Sequence, residues 1–363
     1  MSVYNGSAYL QESIDSILNQ TFSDFEFVII DDCSTDDTWS ILTQNAERDQ
    51  RIVLIRNTQN LGLTKSLNKG LNIVKHEYVA RQDADDISLP QRLEREVSVL
   101  TQFPDCVMVS CHIQVILGNN KKVVEVMDRF CSPEQAAWYL LFYNRIGGHS
   151  QVMYRRKVVL ELGGYSEAWP YTEDYELWCR LSNTKQKIII LPEILLTYRR
   201  HNQSISAQKV DEQQANRIRK VQLNIEYLTG EEITSEEAVI LMNFWKSTLK
   251  IASGDAHHRF PSSHDAGLIH HKLTEIKCCF VREYKEAFGA DLDHQIHEVI
   301  SEQFLTWLQS PLTSKHTIWS KFQISRYVLL WSPLSILKGW LTWSFRFPFD
   351  TITSIYNKLQ HSV

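Results

Sequence analysis

From residue 7 onward, the apolar positions of the chain switch repeatedly between a helical and a strand period. Leu10, Ile14, Ile17 and Leu18 recur at helical spacing, and Ser7 is placed to cap that helix. FEFVIID, residues 25–31, is a short apolar run of strand length, rich in branched and aromatic side chains. A helix carrying Trp39, Ile41 and Leu42 comes next, then RIVLIRN at 51–57, a helix at 64–75 and EYVARQD at 77–83. Strands and helices alternating in this way predict βαβ units, hence an α/β fold with a mostly parallel central sheet. A helix over 90–102 begins at Pro90, a residue suited to a first turn, and CVMVSCHIQVIL (106–117) and KKVVEVM (121–127) read as further strands. The opening MSVYNG reads as the end of a strand entering a turn, with the body of the strand missing, as from a misplaced start codon or a trimmed chain.

Past residue 206 the strand pattern stops. Residues 211–251 and 268–309 show helical spacing, with Leu268, Leu273, Ile276 and Phe280 among the apolar positions. Three segments are expected: 1–206, a helical appendage at 207–310, and a tail at 311–363. The tail carries six basic side chains and one acid, a net +5 that leaves −10 on the rest of a chain whose total is −5. Within it, YVLLWSPLSILKGWLTWSFRFPF (327–349) sets Trp331, Trp340 and Trp343 among aliphatics. Pro333, Lys338 and Gly339 make it a poor spanning helix, so it reads either as a segment lying on an anionic cytoplasmic leaflet or as a buried helix pair.

Composition narrows the class. At 363 residues, 43% hydrophobic and 22% charged, the chain suits a globular protein with a sizeable core. Its negative net charge argues against binding nucleic-acid backbones. Seven cysteines, odd in number and without a CxxC pair, fit a reduced compartment in which most act as small buried hydrophobes. The start shows no secretory signal, and a cytoplasmic protein, peripheral on the inner face of the cell membrane, is expected.

Candidate chemistry lies at two predicted strand ends, where open α/β sheets bind ligands. Asp31 and Asp32 close FEFVII, and Asp83 with Asp85 closes EYVARQ. In an extended stretch Asp83 and Asp85 point to one side and Asp86 to the other. Two carboxylates on one side suit Mg²⁺ or Mn²⁺, which take oxygen ligands and share them with substrate phosphates. The bland alternative is that these aspartates only cap a helix or start a turn. The same holds for Glu173 and Asp174, which open a helix with the stripe Leu177, Trp178 and Leu181 and would complement its dipole. His257, His258, His264, His270 and His271 sit in or near a polar loop without regular ligand spacing, so they read as solvated.

VYNGSAYLQESIDSILNQTFSDFEFVIIDDCSTDDT, RNTQNLGLTKSLNKGL, RQDADD and GGYSEAWPYTEDYELWCRL, taken together and in order, resemble a family 2 glycosyltransferase of the GT-A fold over residues 1 to about 206. That resemblance implies a nucleotide-sugar-binding domain in which Tyr4 and Asp31, with Asp32 beside it, hold the nucleoside. It assigns Asp83 to ribose and metal, Asp85 to the metal, and Arg81 to the donor phosphates. Asp174 matches the base of the ED motif, with Glu173 and His149 on the acceptor side. Arg200 (or Arg199) and His201 match a segment that meets the diphosphate. The expected reaction is inverting, metal-dependent transfer from a nucleoside diphosphate sugar, a UDP-sugar, to a glycan or lipid-linked hydroxyl. Two alternatives stay open. A sugar nucleotidyltransferase needs a Gly-rich N-terminal signature with a nearby lysine, which is missing. A non-catalytic nucleotide- or glycan-binding relative has no use for intact DxD and ED motifs.

Overall fold

The structure, a computed structural model, describes residues 1–246, 262, 265–309 and 318–331. Its elements alternate as the apolar periods require. β1 (Ser2–Val3), α1 (Leu10–Leu18), β2 (Phe27–Asp31), α2 (Thr38–Arg48), β3 (Ile52–Arg56) and α3 (Leu63–Ile73) form a three-stranded sheet and its helices. β1–β2 and β2–β3 are both parallel, in the order β1-β2-β3. β2 is buried along its whole length, as a central parallel strand covered on both faces must be. The α1 stripe Leu10, Ile14 and Ile17 is buried against Phe27 and Ile29. Ser7 does not cap α1, which starts after Tyr9 without a side-chain cap; instead the Ser7 amide donates to Asp36 Oδ2 at 3.1 Å.

β4 (Tyr78–Ala80) and β5 (Ile87–Ser88) belong to a second sheet. It continues through α4 (Arg92–Gln102), β6 (Cys106–Leu117), β7 (Asn120–Met127), α5 (Pro133–Leu140), β8 (Met153–Arg155), α6 (Arg156–Glu161), α7 (Glu173–Asn183) and β9 (Lys187–Arg200). The strand order is β4-β8-β6-β9-β5, with β7 on β6. Here only the long β6–β9 pair is parallel; β4–β8, β5–β9, β6–β7 and β6–β8 are antiparallel. The mostly parallel sheet expected from the spacing is realised in the first three strands and in one pair beyond them, while the other pairs of the second sheet are antiparallel. Helix and strand length reveal a crossover connection but not the sense of later pairings. Trp178, Leu177 and Leu181 of α7 pack on Val107, Met108, Ile188 and Ile190.

A cavity of about 370 Å³ lies between β2 and β4, lined largely by apolar side chains such as Val28, Leu67, Leu71 and Val79. The Met1 amino group also lines it and donates to the Val28 carbonyl at 2.9 Å; burial pushes its pKa down to about 4.

The chain divides into two compact units, Met1–Asn224 and Ile225–Val363. The first continues past 206, through α8 (Ile205–Gln208) into α9 (Val210–Thr229), because α9 is anchored on the first unit. Asn216 donates to the Pro170 carbonyl at 2.8 Å, Lys220 lies 3.6 Å from Glu176, and Asn224 donates to the Leu140 carbonyl at 3.0 Å. The second unit holds α10 (Ser235–Lys246), α11 (Asp265–Phe288), α12 (Leu292–Gln309) and α13 (Ile318–Trp331). Its core includes Phe244, Ile276, Phe280 and Phe304.

His257, His258 and His264 lie outside the described residues. His271 is exposed, and His270 is half-buried, its ring 5.2 Å from Tyr327 and 5.7 Å from Trp331. Among the described residues no helix is long and apolar enough to cross a membrane. Of the tail, Trp331 ends α13 and is buried, while Trp340 and Trp343 lie outside the described residues. Four of the seven cysteines, Cys106, Cys111, Cys131 and Cys179, are buried and free, as small hydrophobes.

Candidate active site

The segment between β4 and β5 carries the three aspartates in a turn rather than in the extended stretch the alternation expectation requires, and burial still separates them. Asp83 and Asp85 are part-exposed; Asp86 is buried, with its Oδ1 accepting the Arg199 amide of β9 at 2.9 Å. Burial first, then Asp85 and Asp83, raises the Asp86 carboxyl well above its ordinary range. It is a structural group.

Asp83 is held at both oxygens. Arg81 Nη2 donates to Oδ1 at 2.8 Å and Ser150 Oγ donates to Oδ2 at 2.9 Å, while the Asp83 amide donates back to Ser150 Oγ at 3.0 Å. Burial pushes this carboxyl up, but Arg81, His149 and Ser150 outweigh it and leave its pKa below the ordinary value. Arg81 is itself buried, so its role in this structure is to charge-balance Asp83 from beneath. α1 supports the same turn from another side, Ser13 Oγ donating to the Asp83 carbonyl at 2.8 Å.

Asp85 Oδ2 lies 2.9 Å from His201 Nε2. Burial and then the like charge of Asp83 raise its pKa, against the pull of His201. Two carboxylates that still repel each other after their protein partners are counted form a site suited to a cation. His201 rests on Tyr9, with ring centroids 4.9 Å apart. The neighbouring Arg199 guanidinium stacks on the same ring at 4.6 Å, donates to the carbonyls of Asp85 and Gly118, and pairs with Glu12. Of the two arginines weighed for this place, Arg199 is the buried brace; Arg200 is part-exposed and lies 3.2 Å from Glu125.

The first sheet contributes the other acidic strand end. Asp31 is fully buried, 3.0 Å from Arg56 Nε, and accepts the Ser34 amide at 3.2 Å. Asp32 accepts from Asn57 at 2.7 Å and from the Leu61 and Gly62 amides at 2.8 Å each. These bonds tie the loop before α3 to β2, so in this structure Asp32 holds the scaffold together. Tyr4, in the loop after β1, is exposed.

The ED pair opens α7. Asp174 is part-exposed; its Oδ1 accepts the Tyr175 amide at 2.6 Å, and Asn144 Nδ2 lies 3.4 Å from its Oδ2. Glu173 is buried, and burial, then the Asp174 charge, pushes its pKa up to about 7. Its Oε1 lies 3.9 Å from Nδ1 of buried His149, whose pKa burial and Arg81 lower. The short 3₁₀ turn His149–Gln151 thus reaches Glu173 through His149 and Asp83 through Ser150. Ser150, Tyr9, Glu12 and Asn144 escape a sequence reading, since each is an ordinary polar residue until the fold sets it beside a carboxylate or an imidazole.

This site sits on a fold shared with known proteins. The family model described as glycosyl transferase family 2 matches residues 1–163. An uncharacterized glycosyltransferase of Haemophilus influenzae is 32% identical over 235 residues, 62% of this chain and 71% of that one. The O-antigen biosynthesis glycosyltransferase WbnJ of Escherichia coli is 36% identical over 210 residues, 56% of this chain and 79% of the relative. Among solved structures, S. aureus TarS 1–349 in complex with UDP-GlcNAc superposes with a TM-score of 0.53 at 15% identity, over 86% of this chain and 90% of that one. The chain belongs to glycosyltransferase family 2, and it is a glycosyltransferase with a GT-A-like α/β domain and a C-terminal helical region.

Proposed function

We propose that this enzyme moves a sugar from a nucleoside diphosphate sugar, most simply a UDP-sugar, to a hydroxyl of a glycan or lipid-linked acceptor, with inversion, in the assembly of a surface polysaccharide. The observation that carries the reading is the junction of Asp83, Asp85 and His201, from segments far apart in sequence, on the same unit as the ED pair. The likeness to an O-antigen biosynthesis glycosyltransferase of E. coli supports the acceptor class.

Among the described residues no group of three or more His, Cys, Asp or Glu side chains is placed to hold a metal ion by itself. A partial ligand set fits a cation that shares its shell with substrate phosphates. Asp85 and Asp83 would hold it, and the imidazole of His201 beside Asp85 favours Mn²⁺ over the strictly oxygen-seeking Mg²⁺. Such an ion, when bound, neutralises charge on the departing diphosphate. The chain's own groups do the rest. Arg81 and Ser150 keep Asp83 ionised and oriented, and part-exposed Arg200 supplies a cation on the diphosphate side. Tyr4 offers an exposed ring to the nucleoside base, and Asp31 closes β2.

Asp174 takes the acceptor proton as the acceptor oxygen attacks the anomeric carbon. The bond to the diphosphate oxygen breaks on the opposite face, and its electrons leave with the nucleoside diphosphate. Asp174 is preferred to Glu173 because it is part-exposed, whereas Glu173 is buried with a pKa near 7 and holds His149 behind the base. Peripheral contact of the basic tail with an anionic membrane belongs to the same proposal.

The test is hydrolysis of a panel of nucleotide sugars with and without Mn²⁺. One donor family should be cleaved in a metal-dependent way, at a rate that Asp85→Asn abolishes. Metal-independent cleavage, or none across the panel, would sink the reading.

A further inference from the structure

Two neighbouring arginines of the first unit have no acid to pair with. Arg129 lies between β7 and α5, and Arg145 between α5 and the 3₁₀ turn His149–Gln151. Arg81, Arg92, Arg180 and Arg199 of the same unit each form an ion pair with a carboxylate. Arg129 instead donates from Nη1 to the Asn144 and Arg145 carbonyls and from Nη2 to Met127 Sδ, each at 3.4 Å. Those two bonds to oxygen are long. Arg145 donates to the Phe130 carbonyl at 3.2 Å and lies 5.5 Å from the centre of the Tyr139 ring. The Nε atoms of both arginines are buried without a hydrogen-bond partner.

The acids nearby are engaged elsewhere or cannot ionise. Asp128 accepts the Phe130 amide at 2.9 Å and lies 3.1 Å from His112 Nε2, and Glu125 pairs with Arg200. Burial pushes the Cys131 thiol up to about 11 and the Tyr143 hydroxyl up to about 12, so both stay neutral. Burial and then the Arg145 charge lower the pKa of Arg129, with Asp174 among the acids that attract it. Arginine keeps its proton throughout the working pH range, so the repulsion is relieved by recruiting an anion rather than by deprotonation. Both residues are part-exposed and open to a ligand.

We propose that Arg129 and Arg145 together bind a phosphate group of the acceptor, which is then a phosphorylated glycan or a sugar carried on a lipid phosphate. The proposal rests on the reading of Asp174 as the base. Asn144 joins the two places. Its side chain lies 3.4 Å from Asp174 Oδ2 and is fixed by two bonds to Gly147, while its carbonyl accepts from Arg129. A single guanidinium satisfies a carboxylate in bidentate fashion, whereas a phosphate has oxygens and charge enough for two such forks. The donor diphosphate is assigned to the aspartate turn and Arg200, which leaves this pair for the acceptor.

Calorimetric titration of the full chain with inorganic phosphate, in the absence of nucleotide and metal, tests the site. The parent should bind it, and Arg129→Gln and Arg145→Gln should each weaken binding at least about tenfold, as loss of a charge-assisted hydrogen bond does. Each variant removes one of two like charges, so without phosphate it should melt no lower than the parent. Arg129→Lys keeps the charge without the fork; it should bind phosphate more weakly than the parent, and it serves if a glutamine variant does not fold. UDP affinity in Mn²⁺ should stay at the parent value in all three. Competition by a hexose 1-phosphate and by a lipid monophosphate in detergent micelles separates a soluble glycan phosphate from a lipid phosphate. A parent that binds no phosphate, variants that bind it as the parent does, or acetate bound as tightly as phosphate would overturn the proposal. So would variants that lose UDP affinity, which would place the pair on the donor diphosphate. Should no nucleotide sugar be cleaved while the variants still lose phosphate, the transfer reading fails and the anion site stands.

Discussion

Asp85 Oδ2 and His201 Nε2 lie 2.9 Å apart although 116 residues of sequence separate them. β5 and β9 pair antiparallel, Ile87 opposite Thr197, and that register carries the end of β9 up to the aspartate turn. Tyr9 then backs the imidazole and Arg199 together. The pair sets a carboxylate oxygen beside an imidazole nitrogen.

The proposed metal role of this pair predicts that His201→Ala weakens Mn²⁺-dependent UDP binding by at least about tenfold, and that Asp85→Asn removes it. Calorimetric titration of UDP with and without Mn²⁺ reads both. Equal UDP affinity in parent and Asp85→Asn under Mn²⁺ would return the aspartates to a turn-forming role.

Ser150 makes a two-way bridge to Asp83, and we propose it as a positioning residue. Ser150→Ala should leave the fold in place but free Asp83 Oδ2, lowering Mn²⁺ affinity by roughly 10–100-fold, as removal of an outer-shell partner does. Manganese titration followed by electron paramagnetic resonance would show it, and unchanged affinity would make the bridge purely structural.

Asp174→Asn keeps size and hydrogen-bonding shape but cannot take a proton as a carboxylate does. Transfer should fall about 10²–10⁴-fold, with donor affinity hardly altered. Glu173→Gln should cost less, because its carboxyl is buried beside His149. A parent-like transfer rate in Asp174→Asn would remove the proposed base.

Arg92 and Glu96 are both fully buried and 3.2 Å apart, and Arg92 also donates to the Arg81 carbonyl at 2.8 Å beneath the aspartate turn. Burial, against the pull of Arg92, raises Glu96 from 4.5 to about 7. The folded chain therefore binds more protons than the unfolded one across that window, and stability falls as pH rises through it. The loss from this residue is on the order of 3 kcal/mol. Glu96→Gln should flatten that part of the pH dependence in denaturant melts. Part of the slope should remain, because Glu173 is raised over the same window. An unchanged slope would show that Glu96 stays ionised in the fold.

The tail's charge and tryptophans predict that ending the chain at residue 310 releases it from anionic vesicles without abolishing donor hydrolysis. Vesicle flotation of both chains decides this. A full chain indifferent to anionic lipid would favour a packed C-terminal helix pair.

Much of this protein is local and therefore written in the sequence. The stripe Leu10, Ile14, Ile17 could only be one buried helix face, and FVII could only be a covered strand, because side-chain period alone fixes which residues leave water. The burial of Asp86 against β9 was not legible from alternation, because residues 81–86 form a turn, and it is the Arg199 amide of β9 that engages its carboxylate. Pairing sense was not legible, since β6 accepts β9 in parallel and β7 and β8 antiparallel through contacts between distant segments. The same limit hid Ser150 and Tyr9, whose roles exist only where a loop and a helix meet the aspartate turn. It also hid the difference between Asp31, Asp32 and Asp83. All three carboxylates end or follow strands, but Asp32 is consumed by Asn57 and two loop amides, whereas Asp83 remains part-exposed beside Asp85. Carboxylates are placed by sequence; how much of each is left for a ligand depends on which neighbours the tertiary fold has already bonded to it.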